Sequence, residues 1–169
     1  VGGATGLAGE LGHITVAGND ALCACGKLGC PETLASIPAL CERAGAQDLT
    51  ALRAAVHAGD ERASLALERA AAAVGYVLGS AALLINPRAI ILAGEIVDAF
   101  PSIKEDIAAH MRAELLPVME WDIDVVSASL GPLGAAQGCA YVAAHRAPEE
   151  DDRERTPLTS GFAGEGGGS

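Results

Sequence analysis

Aromatic side chains are nearly missing from this sequence. Its 169 residues include two phenylalanines, two tyrosines and one tryptophan, although half of all residues are hydrophobic. A core of large rings is therefore excluded, and alanine, leucine, valine and isoleucine have to form it on closely packed helices. The length is enough for one domain.

Positive charge is also scarce. The chain has 11 lysines and arginines against 22 aspartates and glutamates, which gives a net charge of −11. A surface that binds duplex DNA is normally basic. We therefore predict that this chain by itself is a poor DNA binder.

Long hydrophobic runs are absent as well. The longest one covers residues 74–85, and Gly75, Gly79 and Ser80 interrupt it. A membrane-spanning helix needs about 20 predominantly apolar residues, so we expect no membrane partner.

The usual motifs of catalysis and nucleotide binding are missing too. The Gly-rich segment 1–9 lacks the spacing of a phosphate-binding loop, and the sequence contains no Walker loop and no Ser/His/Asp set. The first residues have no initiator Met and read as the middle of a loop. We therefore expect the chain to be the C-terminal part of a longer protein.

What the sequence does contain is a dense group of metal-binding residues: His13, Cys23, Cys25 and Cys30. Zinc takes thiolate sulfur and imidazole nitrogen in a tetrahedron, and Cys3His is a common structural site. The alternatives are a disulfide pair or buried free thiols, and Cys-x-Cys is a poor disulfide because bridge geometry is specific. We predict a structural zinc knuckle over residues 13–30.

Two glycines and the two remaining cysteines allow further predictions. Gly26 and Gly29 are expected to give the turning freedom that the knuckle needs, since glycine tolerates positive φ. Cys41 and Cys139 lie in apolar helical patterns and are predicted to be buried free thiols. Free thiols suit a reducing compartment, so the expected localisation is the cytoplasm.

Periodicity and helix-capping residues predict an α/β domain over residues 1–147, with two parallel strands joined by helices. On the main helix, larger residues such as Leu65, Val77 and Leu84 are expected to face the core, and Gly75 and Gly79 to allow close helix approach. The predicted elements are strand 13–17, helix 31–45 interrupted near 38, helices 49–56 and 61–84, buried strand 89–93, helix 99–115, strand 123–128 and a last helix that follows the segment 131–134 and ends near 145. Residues 148–169 are acidic and Gly-rich, and we expect them to be disordered.

One stretch resembles a known family. Gly-Glu-Leu-Gly-His at 9–13, followed by Cys-Ala-Cys-Gly-Lys-Leu-Gly-Cys-Pro-Glu at 23–32 and Ser36, is similar to the signature of the ROK family of repressors and sugar kinases. Weaker similarity extends to about Ala144. The resemblance implies the C-terminal lobe of an actin-like, ribonuclease H-like ATPase fold.

The resemblance also implies a sugar site. It assigns Glu10 and Glu32 to hydrogen bonds with sugar hydroxyls, and His13 both to zinc and to the sugar. Carboxylates are strong acceptors for such hydroxyls, and a zinc-bound imidazole keeps one N–H for an outside partner. From the residues alone, both carboxylates could equally be solvated, with Glu32 favoured at a helix start by the dipole.

The family pattern is incomplete in this chain. The catalytic Asp and the Gly-Thr-Gly phosphate loop of ROK kinases are absent, so no catalytic residue is assigned. After the 89–93 strand the chain reads Gly94-Glu95, where family kinases have glycines near the nucleotide, and a carboxylate at Glu95 would repel phosphates.

Three hypotheses follow from these observations. The first is the sugar-sensing part of a ROK transcriptional regulator that binds DNA through a missing N-terminal region. The second is the C-terminal half of a glucokinase-like sugar kinase that uses ATP and Mg²⁺ to phosphorylate a hexose. The third is a fragment that keeps only zinc binding and self-association, with the helices after Asp60 as the expected homo-oligomer contact.

Overall fold

The computed structural model describes residues 3–116 and 123–145. It divides into two compact units, Val1–Ser129 and Leu130–Ser169. The helices and strands of the described part are α1 (Glu32–Ala35), α2 (Ile37–Ala44), α3 (Leu49–His57), α4 (Glu61–Ile85), β1 (Ala89–Leu92), α5 (Glu95–Ala99), α6 (Ile103–Ala113), β2 (Asp124–Ser127) and α7 (Gly134–His145).

Short polar side chains set the starts of the first long helices, as the sequence predicts for α3 and α4. The side chains of Ser36, Asp48 and Asp60 accept hydrogen bonds from the backbone N–H groups of the first turns of α2, α3 and α4. Such caps satisfy donors that have no partner within the helix. The predicted break before Pro38 is confirmed, because Ser36 is extended and separates α1 from α2.

The predicted strand at 13–17 is wrong. His13 ends a 3-10 helix, Leu11–His13, and the following residues are irregular in the described structure. The backbone N–H of Val16 donates to the carbonyl of Gly29 instead of joining a sheet. Side chains alternate along residues 13–17 as they would in a strand. A strand also needs a neighbouring strand to pair with, and this segment has none in the described structure.

α4 and α6 pack closely through glycine, as predicted. A Cβ added at Gly75 would collide with His110, and one at Gly79 would lie 2.5 Å from Cβ of Glu114. The absence of side chains at these two positions therefore lets α6 lie directly against α4. The main core lies around α4 and includes Leu40, Leu52 and Ile107.

β1 and β2 form a parallel pair in the register Ala89 with Asp124, and this confirms the predicted parallel arrangement. The expectation that the first strand is buried is wrong in this structure. Ile91 is 67% exposed, because the described sheet has two strands and only the Ile90 side packs against the cluster of Ala82, Met111 and Ile123.

The helix predicted over 99–115 is observed as α6, which starts later, at Ile103, and a separate helix that was not predicted, α5, precedes it. α5 starts at Glu95, immediately after Gly94 with φ of 119°, and the chain leaves helical geometry at Phe100. Proline lacks an N–H and fits only near a helix start, so Pro101 separates α5 from α6.

The second unit begins with a 3-10 helix, Gly131–Leu133, and continues as α7. Cys139 on α7 is exposed, so the prediction of a buried thiol is wrong there, whereas Cys41 is buried as predicted. α7 has no buried residue, so its apolar pattern alone was insufficient to predict burial. The predicted disordered tail, 148–169, lies outside the described residues.

α4 is the one helix of the described part that is long and apolar enough, by length and composition, to cross a membrane. Small residues along it, among them Ala66, Ala70 and Ala73, are buried in the protein. A core helix of a water-soluble domain passes the same test of length and composition.

Candidate metal centre

The knuckle between His13 and Cys30 is a short hairpin with a turn at its tip. The N–H of Cys23 donates to the carbonyl of Lys27, and the N–H of Gly26 donates to the carbonyl of Cys23. Leu22 and Leu28 form an antiparallel bridge. Gly26 and Gly29 have φ of 86° and 82°, so the predicted use of positive φ is confirmed.

This hairpin brings the four predicted ligands together. The candidate donor atoms of His13, Cys23, Cys25 and Cys30 all lie within 4.8 Å of one another. Cys25 Sγ and Cys30 Sγ are 3.6 Å apart, and Cys23 Sγ is 3.8 Å from His13 Nδ1. A tetrahedron with Zn–S bonds of about 2.3 Å has S···S edges of about 3.8 Å, so the spacing suits one tetrahedral ion.

The imidazole is oriented with its inner nitrogen towards the sulfurs. Nδ1 of His13 faces Cys23, and Nε2 is the second ring nitrogen, on the other side of Cε1. If a metal is bound through Nδ1, the Nε2–H is fixed as a donor that points away from the cluster.

Two of the thiols differ in their proton affinity. The backbone N–H of Lys27 lowers the pKa of Cys25 by hydrogen bonding, whereas burial raises the pKa of Cys30 to about 11. Metal ligation requires thiolates, so a bound metal displaces a firmly held proton from Cys30.

Two side chains that sequence reasoning did not single out hold the hairpin in place. The Lys27 ammonium donates to the carbonyl of His13 over 2.6 Å. The Asn19 amide donates to the carbonyl of Cys30 and to the Thr33 hydroxyl. The spacing of the sequence does not indicate these bonds, because the partners are 11 to 14 residues apart along the chain and no short motif encodes them.

Glu32 lies at the edge of the cluster. Its Oε2 is 3.5 Å from Nδ1 of His13 and 3.6 Å from Sγ of Cys23. Pro31 precedes Glu32, which is the first residue of α1, so the carboxylate is also favoured by the helix dipole.

Glu10 lies beside His13 along the backbone. It is the residue that precedes the 3-10 helix, and its carbonyl accepts the N–H of His13. The Glu10 residue is exposed.

A cavity of about 730 Å³ borders the knuckle, and it reaches Glu32 but has neither Glu10 nor His13 in its lining. Other polar groups around it come from Ser36, Glu42 and Arg43. The described structure therefore joins Glu32 to the metal cluster and to a cavity, and leaves Glu10 on the adjoining surface.

With this geometry in place, the comparison with known proteins is direct. The ROK family model matches residues 1–146. The chain belongs to the ROK family, as its resemblance predicted.

Its curated relatives include regulators and a kinase. The xylose repressor of Bacillus spizizenii is 29% identical over 147 residues, which cover 83% of this chain and 38% of the repressor. The transcriptional dual regulator NagC of Escherichia coli is 29% identical with the same coverages. Kanosamine kinase of Amycolatopsis mediterranei is 29% identical over 79% of this chain and 46% of the kinase.

Solved structures of both classes share the fold. The ROK hexokinase of Thermus thermophilus superposes with a TM-score of 0.74 at 29% identity, over 85% of this chain and 51% of the hexokinase. A ROK glucokinase of Streptomyces griseus in complex with glucose and AMPPNP has a TM-score of 0.69 at 27% identity, over 81% and 51%. A ROK transcriptional regulator homologous to E. coli MLC has a TM-score of 0.65 at 27% identity, over 75% and 36%.

The chain therefore spans between about a third and a half of the proteins it resembles. It has the mixed helix and sheet architecture of ROK kinases, and its relatives include both repressors and sugar kinases.

Proposed function

We propose that this chain is the sugar-sensing, zinc-containing part of a ROK-family transcriptional regulator of the cytoplasm. The regulators among its relatives and the His/Cys cluster beside Glu32 support this proposal. Specific DNA binding would belong to a region outside this chain, since its net charge is −11.

The observation that favours a regulator over a kinase is the start of α5. Glu95 is its first residue, it follows β1 through Gly94, and Asp98 adds a second carboxylate in the same first turn. A helix N-terminus after a strand attracts phosphates through its free N–H groups. Two carboxylates at this point satisfy the helix dipole and repel phosphates.

The proposed metal is structural. Four protein ligands fill the tetrahedron of zinc and leave no open position for an activated water. Zinc would hold Cys23, Cys25 and Cys30 together and fix the imidazole of His13, so that Nε2–H can donate to a sugar hydroxyl. Glu10 and Glu32 are proposed as acceptors for neighbouring hydroxyls of a hexose or hexose derivative.

The second candidate is the C-terminal half of a ROK sugar kinase. The TM-score of 0.74 with a ROK hexokinase favours it. In that case ATP and Mg²⁺ are cofactors, and the residue that takes the hydroxyl proton lies outside this chain.

Zinc analysis of the purified chain tests the metal proposal. We expect one zinc per chain, loss of most of it in Cys25→Ser, and a lower melting temperature after chelation, because structural zinc contributes to folding free energy. Cys139→Ser is the matched control and should retain zinc, since Cys139 lies outside the cluster. A chain that is equally stable without metal would contradict the proposal.

Calorimetric titration with glucose, N-acetylglucosamine and xylose tests sugar sensing. Glu10→Ala is expected to weaken binding by about 1.5–3 kcal/mol, the scale for a hydrogen bond to a charged group. Glu68→Ala, an exposed acid on α4, is the control. Binding that is equal in both variants would remove Glu10 from the site.

A coupled ADP-release assay with the same sugars tests whether this chain alone phosphorylates a sugar. We expect no turnover, because phosphoryl transfer needs a base and phosphate-binding donors, and no residue of this chain is assigned to either role. Turnover that Glu10→Ala abolishes would establish the kinase candidate instead.

A further inference from the structure

A second cavity, of about 440 Å³, lies on the first unit between the loop 16–19 and α4. Two arginines, Arg43 of α2 and Arg69 of α4, line it together with Tyr76. The rest of the lining is mainly apolar and includes Leu34, Ala72 and Ala73. We call this cavity the arginine cavity.

The arginine cavity has no acidic side chain in its lining. Among residues 3–116 and 123–145, the ion pairs are His13–Glu32 and Lys104–Glu105, so neither arginine has a carboxylate within 4.0 Å. Twice as many acids as bases are available in this chain. Two arginines that share a cavity without an acid create a local positive field that favours an anion.

Hydrogen bonds with backbone carbonyl groups hold Arg43 in position. Its Nε and Nη2 both donate to the carbonyl of Thr33 at 3.3 Å, and its own carbonyl accepts from Arg62. These bonds fix the plane of the guanidinium and leave further N–H donors for a ligand. A fixed guanidinium loses less entropy on binding than a free one.

We propose that the arginine cavity binds a phosphate monoester, with the phosphate between Arg43 and Arg69 and an apolar body against Leu34 and Ala73. Guanidinium groups bind phosphate oxygens in paired, charge-assisted hydrogen bonds. Two such groups match the two charges of a phosphate monoester, and the Tyr76 hydroxyl adds a neutral donor. The lining of this cavity contains none of Glu10, His13 and Glu32, and its test does not depend on the proposed sugar sensing.

The arginine cavity is also connected to the metal cluster. Asn19 belongs to its lining, and the Asn19 amide holds the carbonyl of Cys30 and the hydroxyl of Thr33. Arg43 borders both this cavity and the one at Glu32. A ligand here therefore stabilises the loop between His13 and Cys23 and raises the melting temperature of the whole chain.

The test uses calorimetric titration of the whole chain with phenyl phosphate and with inorganic phosphate, at constant ionic strength set by chloride. We expect saturable binding of both, with phenyl phosphate at least fivefold tighter because of the apolar wall. Arg69→Gln is expected to weaken phenyl phosphate about tenfold, and Tyr76→Phe about threefold. Arg53→Gln, an exposed arginine on α3 outside the cavity, should change binding less than twofold.

Circular dichroism verifies that each variant is folded, and Arg69 is exposed, so its replacement leaves the core intact. Equal loss in Arg53→Gln and Arg69→Gln would assign the binding to general surface charge and overturn the proposal. Absence of saturable binding by either probe would overturn it as well. Equal affinity for inorganic phosphate and phenyl phosphate would overturn the monoester assignment and leave an inorganic anion site.

Discussion

At the scale of single residues, two glycines of the knuckle have the same backbone but different surroundings. Gly26 and Gly29 both have positive φ. A Cβ at Gly29 would lie 2.7 Å from the carbonyl oxygen of Asn19 and 2.9 Å from a methyl of Thr15, whereas nothing lies within 4 Å of one at Gly26. Substituting alanine at Gly26 and at Gly29 therefore separates the cost of backbone strain from the cost of close packing.

We predict that Gly29→Ala destabilises the chain by about 2–4 kcal/mol, from left-handed strain plus overpacking. Gly26→Ala is the matched control, with a cost of about 1–2 kcal/mol from strain alone. Urea unfolding of the two variants measures the difference. Equal costs would show that the segment at Asn19 moves away freely and does not hold Gly29.

The raised pKa of Cys30 leads to a prediction about how stability and zinc binding depend on pH. Burial raises the pKa of Cys30 from 9.0 to about 11 in the metal-free chain. The protonated thiol is therefore the favoured folded form, and its stabilising contribution is present below pH 9 and lost as pH rises towards 11. Zinc needs the thiolate, so binding has to release this proton at neutral pH.

We expect zinc affinity to rise steeply from pH 6 to pH 8, by about tenfold per pH unit for each thiol that is protonated before binding. Competition with a chromophoric chelator measures this slope. Cys30→Ser should flatten it, and Cys139→Ser should leave it unchanged. An affinity independent of pH would contradict thiolate ligation.

At the scale of elements, the packing of α4 differs from its hydrophobic pattern. Leu65 and Leu84 were expected in the core, yet they are exposed, and the buried positions are mostly alanine and glycine, including Ala66, Ala70 and Gly75. Gly75 and Gly79 lie against α6. Close backbone approach at these glycines therefore accompanies the burial of large α6 side chains such as Ile107 and Met111.

We predict that Gly79→Ala lowers the stability of the chain by about 1–3 kcal/mol, because the new methyl would overlap Glu114. Gly138→Ala on α7 is the control. Nothing lies within 4 Å of a Cβ there, so the better helix propensity of alanine should stabilise α7 by about 0.5–1 kcal/mol. Thermal unfolding measures both, and stabilisation by Gly79→Ala would disprove the close contact.

At the scale of the whole molecule, apolar surface remains exposed near the turn between α4 and β1. Leu84 is 87% exposed, Ile85 72% and Ile91 67%. Exposed apolar residues of this kind favour association. They add a specific surface to the proposed homo-oligomer.

We predict concentration-dependent self-association of the chain in sedimentation velocity. The double variant Leu84→Gln and Ile91→Thr should shift the distribution towards the monomer, whereas Leu65→Gln, which is 44% exposed on the same helix, should not. A chain that remains monomeric at every concentration, or identical behaviour of the double variant and Leu65→Gln, would rule out this surface.

The sequence by itself determined the family and most helix boundaries, and it indicated the His/Cys cluster that the structure brings together. Ser36, Asp48 and Asp60 cap their helices through bonds to residues three positions away, and such local interactions can be read from spacing. The motif around Cys23, Cys25 and Cys30 is equally local. The metal itself and the sugar contacts remain predictions.

The tertiary structure alone decided which surfaces are buried and which loops are fixed by hydrogen bonds. No short-range pattern indicates that Asn19 binds Cys30, that Arg43 and Arg69 share a cavity, or that residues 13–17 pair with no strand. These features depend on partners far apart along the chain. Burial depends on which element packs against each face, and periodicity indicates only that a face is apolar.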